Sequence, residues 1–296
     1  MVTICTPAWN RAGTLPRAFQ SLLAQDNLDF EWIIIDDGSQ DETEIVVKEM
    51  KEKTDAFPIR YIKKENGGRH TAINKGLEEA KGEIFFLLDS DDWLPPDAIS
   101  KTLICFDSIA GEAGFAGIVG LKCFEDEKIV GATFRGDYQD FDFFDREKRG
   151  VYGDRAEVFY TEIFRKFPFP ELPDERFLSE RMNWYRIADA GYKMRWFNTN
   201  IYFCEYQADG LSAQRGKMRK NMGALRLETK ELLQYKKVSL KEKCMYVGRY
   251  ALLRQREGAS YSQIGQELEI SAILPTILSK IAIVYEKAIY NKKGNM

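Results

Sequence analysis

Strand and helix alternate four times within about the first ninety residues, a pattern that few folds accommodate. Val2–Thr6, Glu31–Asp37, Ile59–Lys63 and Ile84–Leu88 read as strands, and Ile84–Leu88 is apolar without interruption, as expected of a strand covered on both faces. Between them, Leu15–Gln25 has helical spacing through Leu15, Phe19, Leu22 and Leu23. A second helix runs through Ile45, Val46 and Met50, with Ser39 and Asp41 as capping candidates, and Thr71–Ala80 is a third, stopped by Gly82. The alternation predicts an α/β fold with a mostly parallel sheet flanked by helices. Right-handed crossovers then bring the carboxyl ends of the strands to one edge, where ligands of such sheets collect.

After Leu94 the pattern loosens. Ala98–Ile109 reads as helix, Phe115–Leu121 as strand, Lys128–Phe134 as a further strand, and Arg155–Phe164 and Leu178–Ala190 as helices. Gly191 closes the last of these, and Lys193–Tyr206 reads as a strand pair. From Gly216 onward only helix is expected. The organisation that follows is residues 1–212 as one domain, with halves 1–95 and 96–212, and residues 213–296 as a helical carboxy-terminal extension.

The 296 residues carry a net charge of −3, which hides thirteen Lys and Arg against three Glu between Arg215 and Arg256. With the rest of the chain acidic, a uniform nucleic-acid binder is not expected. Five widely spaced cysteines form no metal-ligand pattern and read as small buried hydrophobes in a reducing compartment. No signal peptide precedes Val2, and the apolar stretch Ile270–Tyr285 is broken by Pro275 and Lys280. The expected location is the cytoplasm, with the inner face of the membrane as the alternative.

The strand Ile84–Leu88 runs directly into Asp89-Ser90-Asp91-Asp92. Like charges this close are costly unless a cation neutralises them, and a hard divalent ion shared with a phosphate-bearing substrate suits the position. The plainer reading is a polar turn whose aspartates cap the segment opened by Pro95-Pro96. Three further groups are expected at the same edge. Trp9, after the first strand, offers a ring for stacking on a base, or simply packs on the sheet. Asp36 and Asp37 end the second strand, where a carboxylate can accept from a base N–H or build an Asp-Gly-Ser turn. Asn66-Gly67-Gly68-Arg69 allows close backbone approach and presents a fixed cation to phosphates. His70 is the only histidine, so no multi-imidazole site exists, and helix-start packing is its favoured role.

These residues, taken in order, resemble the family 2 glycosyltransferases, which have the GT-A fold. The resemblance covers about the first hundred residues closely. Thr6-Pro7-Ala8-Trp9-Asn10-Arg11 is similar to the family's opening segment, with Trp9 in place of the usual Tyr. Asp36-Asp37-Gly38-Ser39 is similar to its second-strand motif, which implies Asp37 at the nucleobase. Asp89-Ser90-Asp91 matches its Asp-x-Asp signature, which implies Asp91 as main metal ligand, with Asp89 also at the metal and near the ribose. The donor side implied is thus Pro7, Trp9, Asn10, Arg11, Asp36, Asp37, Gly68, Arg69, Asp89 and Ser90. Family members carry a Glu-Asp pair at a helix start whose aspartate is the base. In Phe177–Trp184 that aspartate position holds Arg181, which stays protonated. Glu180 is therefore the candidate base, against a capping or salt-bridging role. Asp174, Glu175 and Glu157 are reserves, with Glu157 also a candidate acceptor contact.

The implied activity is transfer of a sugar, with inversion, from a nucleotide-sugar to a glycan or lipid-linked acceptor in cell-surface polysaccharide synthesis. A UDP-sugar is the expected donor, and Mn²⁺ or Mg²⁺ the expected cofactor. The alternatives are a sugar-nucleotide-binding partner protein with impaired catalysis and a sugar nucleotidyltransferase. The latter favours a glycine-rich loop after the first strand, and here no glycine occurs before Gly13. The tail's Ile270, Ile273, Leu274, Ile277, Leu278, Ile281, Ile283 and Val284, beside the basic stretch, suit either peripheral contact with an anionic membrane or packing, including self-association.

Overall fold

The computed structural model describes residues 1–173, 175–205 and 221–280. β1 (Val2–Ala8), β2 (Phe30–Asp36), β3 (Ile59–Lys63) and β4 (Ile84–Leu87) pair in parallel. Every residue of β1 and β2 is buried. Helices α1 (Leu15–Leu23), α2 (Thr43–Glu52) and α3 (Arg69–Glu79) follow the first three strands in turn. The register sets Ala8 beside Asp36, Asp36 beside Lys63 and Cys5 beside Leu87, so the four carboxyl ends share one edge.

The remainder of the sheet is built differently. After α4 (Ala98–Asp107) come β5 (Phe115–Cys123), β6 (Tyr138–Phe141), β7 (Arg155–Tyr160), the short α5 (Thr161–Phe164), α6 (Arg181–Asp189) and β8 (Lys193–Phe203). The eight strands lie in the order β3-β2-β1-β4-β7-β5-β8-β6, with β7 antiparallel to both β4 and β5.

Three sequence expectations are corrected here. Arg155–Phe164 is strand β7 and one helical turn rather than a helix, because Val158 and Phe159 fill the slot between β4 and β5 with both faces covered. Lys128–Phe134 forms only isolated bridges, Cys123 with Ile129 and Ala132 with Tyr152. There Gly131 takes φ +84° and lies against the Tyr152 carbonyl, which breaks a regular ladder. In place of the strand pair expected over 193–206, Lys193–Phe203 forms one long strand, β8, whose partners β5 and β6 come from elsewhere in the chain, and residue 206 lies outside the described residues.

The core under the sheet includes Ile4, Trp32, Ile34, Phe86, Ile118 and Tyr202, all essentially inaccessible. A set of rings also packs around Phe159, its centroid 4.5 Å from Phe164 and 4.8 Å from Trp184. Cys5, Cys105, Cys123 and Cys204 are free and buried, and Cys244 is half-buried.

The chain divides into two compact units, Met1–Arg176 with Glu180–Gln214, and Phe177–Ser179 with Arg215–Met296. In the second, α7 (Met222–Gln234), α8 (Leu240–Arg256) and α9 (Tyr261–Leu268) close over Leu225, Val247, Tyr250, Ala251, Ile264 and Leu268. A reciprocal cap between Ser260 and Gln263 starts α9. The tail positions Ile281, Ile283 and Val284 lie outside the described residues. Among the described residues, no helix is long and apolar enough to cross a membrane.

Candidate active site

The turn after β4 is held from several sides. The Asp89 N–H donates to the Tyr202 hydroxyl at 2.8 Å, and the Asp92 N–H donates to the Asp89 carbonyl at 3.1 Å. The Arg69 guanidinium, at the first turn of α3, donates to the Asp89 carboxylate through Nε at 3.1 Å and through a second nitrogen. On the other side the Lys122 ammonium lies 3.4 Å from Asp89 and 3.8 Å from Asp92, and 4.0 Å from the Tyr202 ring centroid.

The electrostatics of the three aspartates diverge accordingly. Burial pushes the Asp89 carboxyl up, but Arg69 and Lys122 outweigh it and hold the group well below the usual carboxylate range. Asp92, buried and next to Asp89, is pushed up to about 7. Asp91 is raised by burial and then by Asp89, with Arg11 opposing. Arg17 of α1 fixes the Asp91 carbonyl rather than its carboxylate.

Beside this turn, the ends of β1 and β2 are laced into one platform. Pro7 and Asp36 are buried in the sheet. Trp9, at 52% exposure, is left with a face open to solvent. The Asn10 N–H donates to Ser39 Oγ at 2.9 Å, and the Arg11 N–H to Thr43 Oγ1 at 2.9 Å. Asp36 accepts from the Ser39 N–H at 2.7 Å and from the Tyr61 hydroxyl. Asp37 accepts from Lys64 Nζ at 2.8 Å, the Gly67 N–H at 2.9 Å, the Gly68 N–H at 2.7 Å and Asn66 Nδ2 at 3.1 Å. Four donors fill the lone-pair sites of one carboxylate, so in the free protein Asp37 organises the 64–68 loop. Gly68, at φ +98°, has no room for a side chain, since a Cβ there would sit 2.2 Å from the Arg176 carbonyl oxygen.

Glu180 stands at the start of α6 and ion-pairs with the same guanidinium that holds Asp89. The salt-bridging role weighed for it from sequence is therefore present, but with Arg69. Through Arg69, the structure brings together the Asp-x-Asp turn and the candidate base. Glu157 lies in β7 opposite Val119, raised by burial, and its charge is felt by Lys122. Glu175 lies in the turn before α6, its N–H donating to the Leu172 carbonyl, and Asp174 lies outside the described residues. His70 is buried at the start of α3, its pKa lowered by burial, in keeping with a packing role.

Sequence reasoning passed over Lys122, Tyr202, Lys64 and Tyr61. Lys122 had a signal, being a lone charge in the otherwise apolar run Phe115–Cys123. Tyr202 had none, since an aromatic in a strand is ordinary core.

The fit of a divalent cation can be judged from the donors. Asp89 is already neutralised by two cations, whereas Asp91 is half-buried with its pKa raised. Among the described residues no three His, Cys, Asp or Glu side chains cluster to hold a metal by themselves. One carboxylate completed by substrate phosphate oxygens and water is the arrangement that suits Mg²⁺ or Mn²⁺, and the residues present fit it.

Residues 3–108 match the family model described as glycosyl transferase family 2. An undecaprenyl-phosphate 4-deoxy-4-formamido-L-arabinose transferase of Pseudomonas fluorescens is 32% identical over 103 residues, which cover 34% of this chain and 30% of that protein. Matches to the curated relatives span about a third of their length or less. Among solved structures, S. aureus TarS 1–349 in complex with UDP-GlcNAc superposes with a TM-score of 0.63 at 16% identity, over 86% of this chain and 72% of that one. The mannosyltransferase PcManGT from Pyrobaculum calidifontis, in complex with GDP-Man and Mn²⁺, gives 0.59 at 18% identity, over 100% and 83%. These neighbours establish the GT-A-type fold.

Proposed function

We propose that the protein is a metal-dependent, inverting glycosyltransferase that moves a sugar from a nucleotide-sugar to a glycan or lipid-linked acceptor. The observation that carries the reading is Arg69, one guanidinium joining the Asp-x-Asp turn to Glu180. A leaving-group site and a base thus lie within one side chain's reach, as displacement at a sugar carbon between diphosphate and acceptor requires. A UDP-sugar is the favoured donor, in keeping with the UDP-GlcNAc complex of the TarS neighbour. A lipid-linked acceptor is in keeping with the name of the P. fluorescens relative.

In this mechanism Trp9 stacks on the base, while Asp36 and Asp37 hold the platform beneath it. Asp89, kept ionised by Arg69 and Lys122, accepts from the ribose hydroxyls. Asp91 and the diphosphate oxygens would hold Mn²⁺ or Mg²⁺, which supplies Lewis-acid stabilisation of the departing diphosphate. Glu180 takes the proton of the acceptor hydroxyl as it attacks.

The test is nucleoside diphosphate release from a panel of UDP- and GDP-sugars with and without Mn²⁺. Metal-dependent release is expected, with Asp91→Ala abolishing it. Glu180→Gln is expected to retain donor binding and lower turnover by about 10²-fold or more. Pyrophosphate release would instead indicate nucleotidyl transfer, and donor binding without turnover a partner protein.

A further inference from the structure

Arg69 has more anions than it can serve once a donor arrives. In the free protein it engages Asp89 and Glu180 together. It is only about a quarter exposed, and the attraction of Asp89 outweighs the burial that would otherwise loosen its proton. A nucleoside diphosphate at this edge brings two further charges into reach of the same guanidinium, which binds phosphate in a fork geometry. Asp89 keeps a second counterion, Lys122, and can share Arg69 at little cost. Among its described contacts, Glu180 has no comparable second cation: Lys122 serves Asp89 and Asp92.

We propose that Arg69 is a counterion exchanged between Glu180 and the donor diphosphate, so that the candidate base is unmasked only when the donor is in place. This inference rests on the transferase reading and adds to it an order of events. Before the donor binds, Glu180 is paired and is a poor proton acceptor. When the diphosphate draws Arg69 away, the carboxylate loses the charge that stabilised its ionised form and its basicity rises. Arg69 is then a positioning residue for the base as well as a contact for the leaving group, and acceptor activation is coupled to donor occupancy without any large movement of the fold.

The exchange has an unusual consequence for binding. If Glu180 competes with the diphosphate for Arg69, removing the glutamate's charge should tighten nucleotide binding. Calorimetry with UDP and GDP, plus Mn²⁺, on the wild type, Glu180→Gln, Arg69→Gln and the double variant reads this directly. Glu180→Gln is expected to bind the preferred nucleotide about 3- to 10-fold more tightly, as releasing one competing ion pair allows. Arg69→Gln should weaken binding, and in its background Glu180→Gln should have no effect, because the competition has been removed. Glu180→Ala provides a second variant should the amide hydrogen-bond to Arg69. Unchanged or weaker binding by both Glu180 variants overturns the exchange while leaving the transferase reading intact. Tightening that persists without Arg69 overturns it equally. Failure of the wild type to bind either nucleotide overturns both.

Discussion

At the scale of single residues, the three aspartates after β4 are alike in sequence and unlike in state. Asp89 is held ionised by Arg69 and Lys122, whereas Asp92 is forced toward neutrality by burial and by Asp89 itself. Its folded pKa of about 7 stands above the ordinary 3.8. Between about pH 4 and pH 7 the folded protein therefore keeps a proton that the unfolded chain has released, and stability falls as pH rises through that window. Asp92→Asn keeps the shape and removes the charge. It is expected to raise stability by about 2 kcal/mol at pH 8 and to change little at pH 4.5, as urea unfolding at the two pH values will measure. An equal gain at both would mean that Asp92 ionises normally.

At the scale of elements, α3 transmits packing to the site. Its first residue, Arg69, serves Asp89 and Glu180, while farther along Gly76 rests on β1 so closely that a Cβ would come 2.3 Å from Cys5 Sγ. Gly76→Val cannot be absorbed without pushing α3 off the sheet, a shift that also displaces Arg69. The expected cost is about 1–3 kcal/mol, with weaker UDP binding, checked by denaturation and calorimetry on the same sample. A loss of stability at unaltered affinity would separate helix seating from the site. The elements most legible in sequence were those whose periodicity is local: β1 to β4 and α1 to α3 formed as their patterns predict. β7 was misread because its few residues satisfy either period, and only the slot between β4 and β5 decides.

At the scale of the molecule, the two units have separate cores, one under the sheet and one among α7, α8 and α9. Thermal unfolding followed by calorimetry is expected to resolve two transitions, and UDP with Mn²⁺ should raise only the one belonging to the sheet unit, by mass action on the folded state. A single transition shifted as a whole would show that the units unfold as one.

The sequence alone determined that the first half is a parallel α/β sheet with Trp9, Asp37 and Asp89-Ser90-Asp91 along one edge, because strand and helix periods and turn residues act over short distances. Only the tertiary structure decided that Lys122 from β5 and Tyr202 from β8 brace that turn, and that Arg69 binds Asp89 and Glu180 at once. Those contacts join segments far apart in the chain, and no local pattern encodes them. They exist because β7, β5 and β8 extend the first four strands into one sheet, which carries remote side chains to a shared edge.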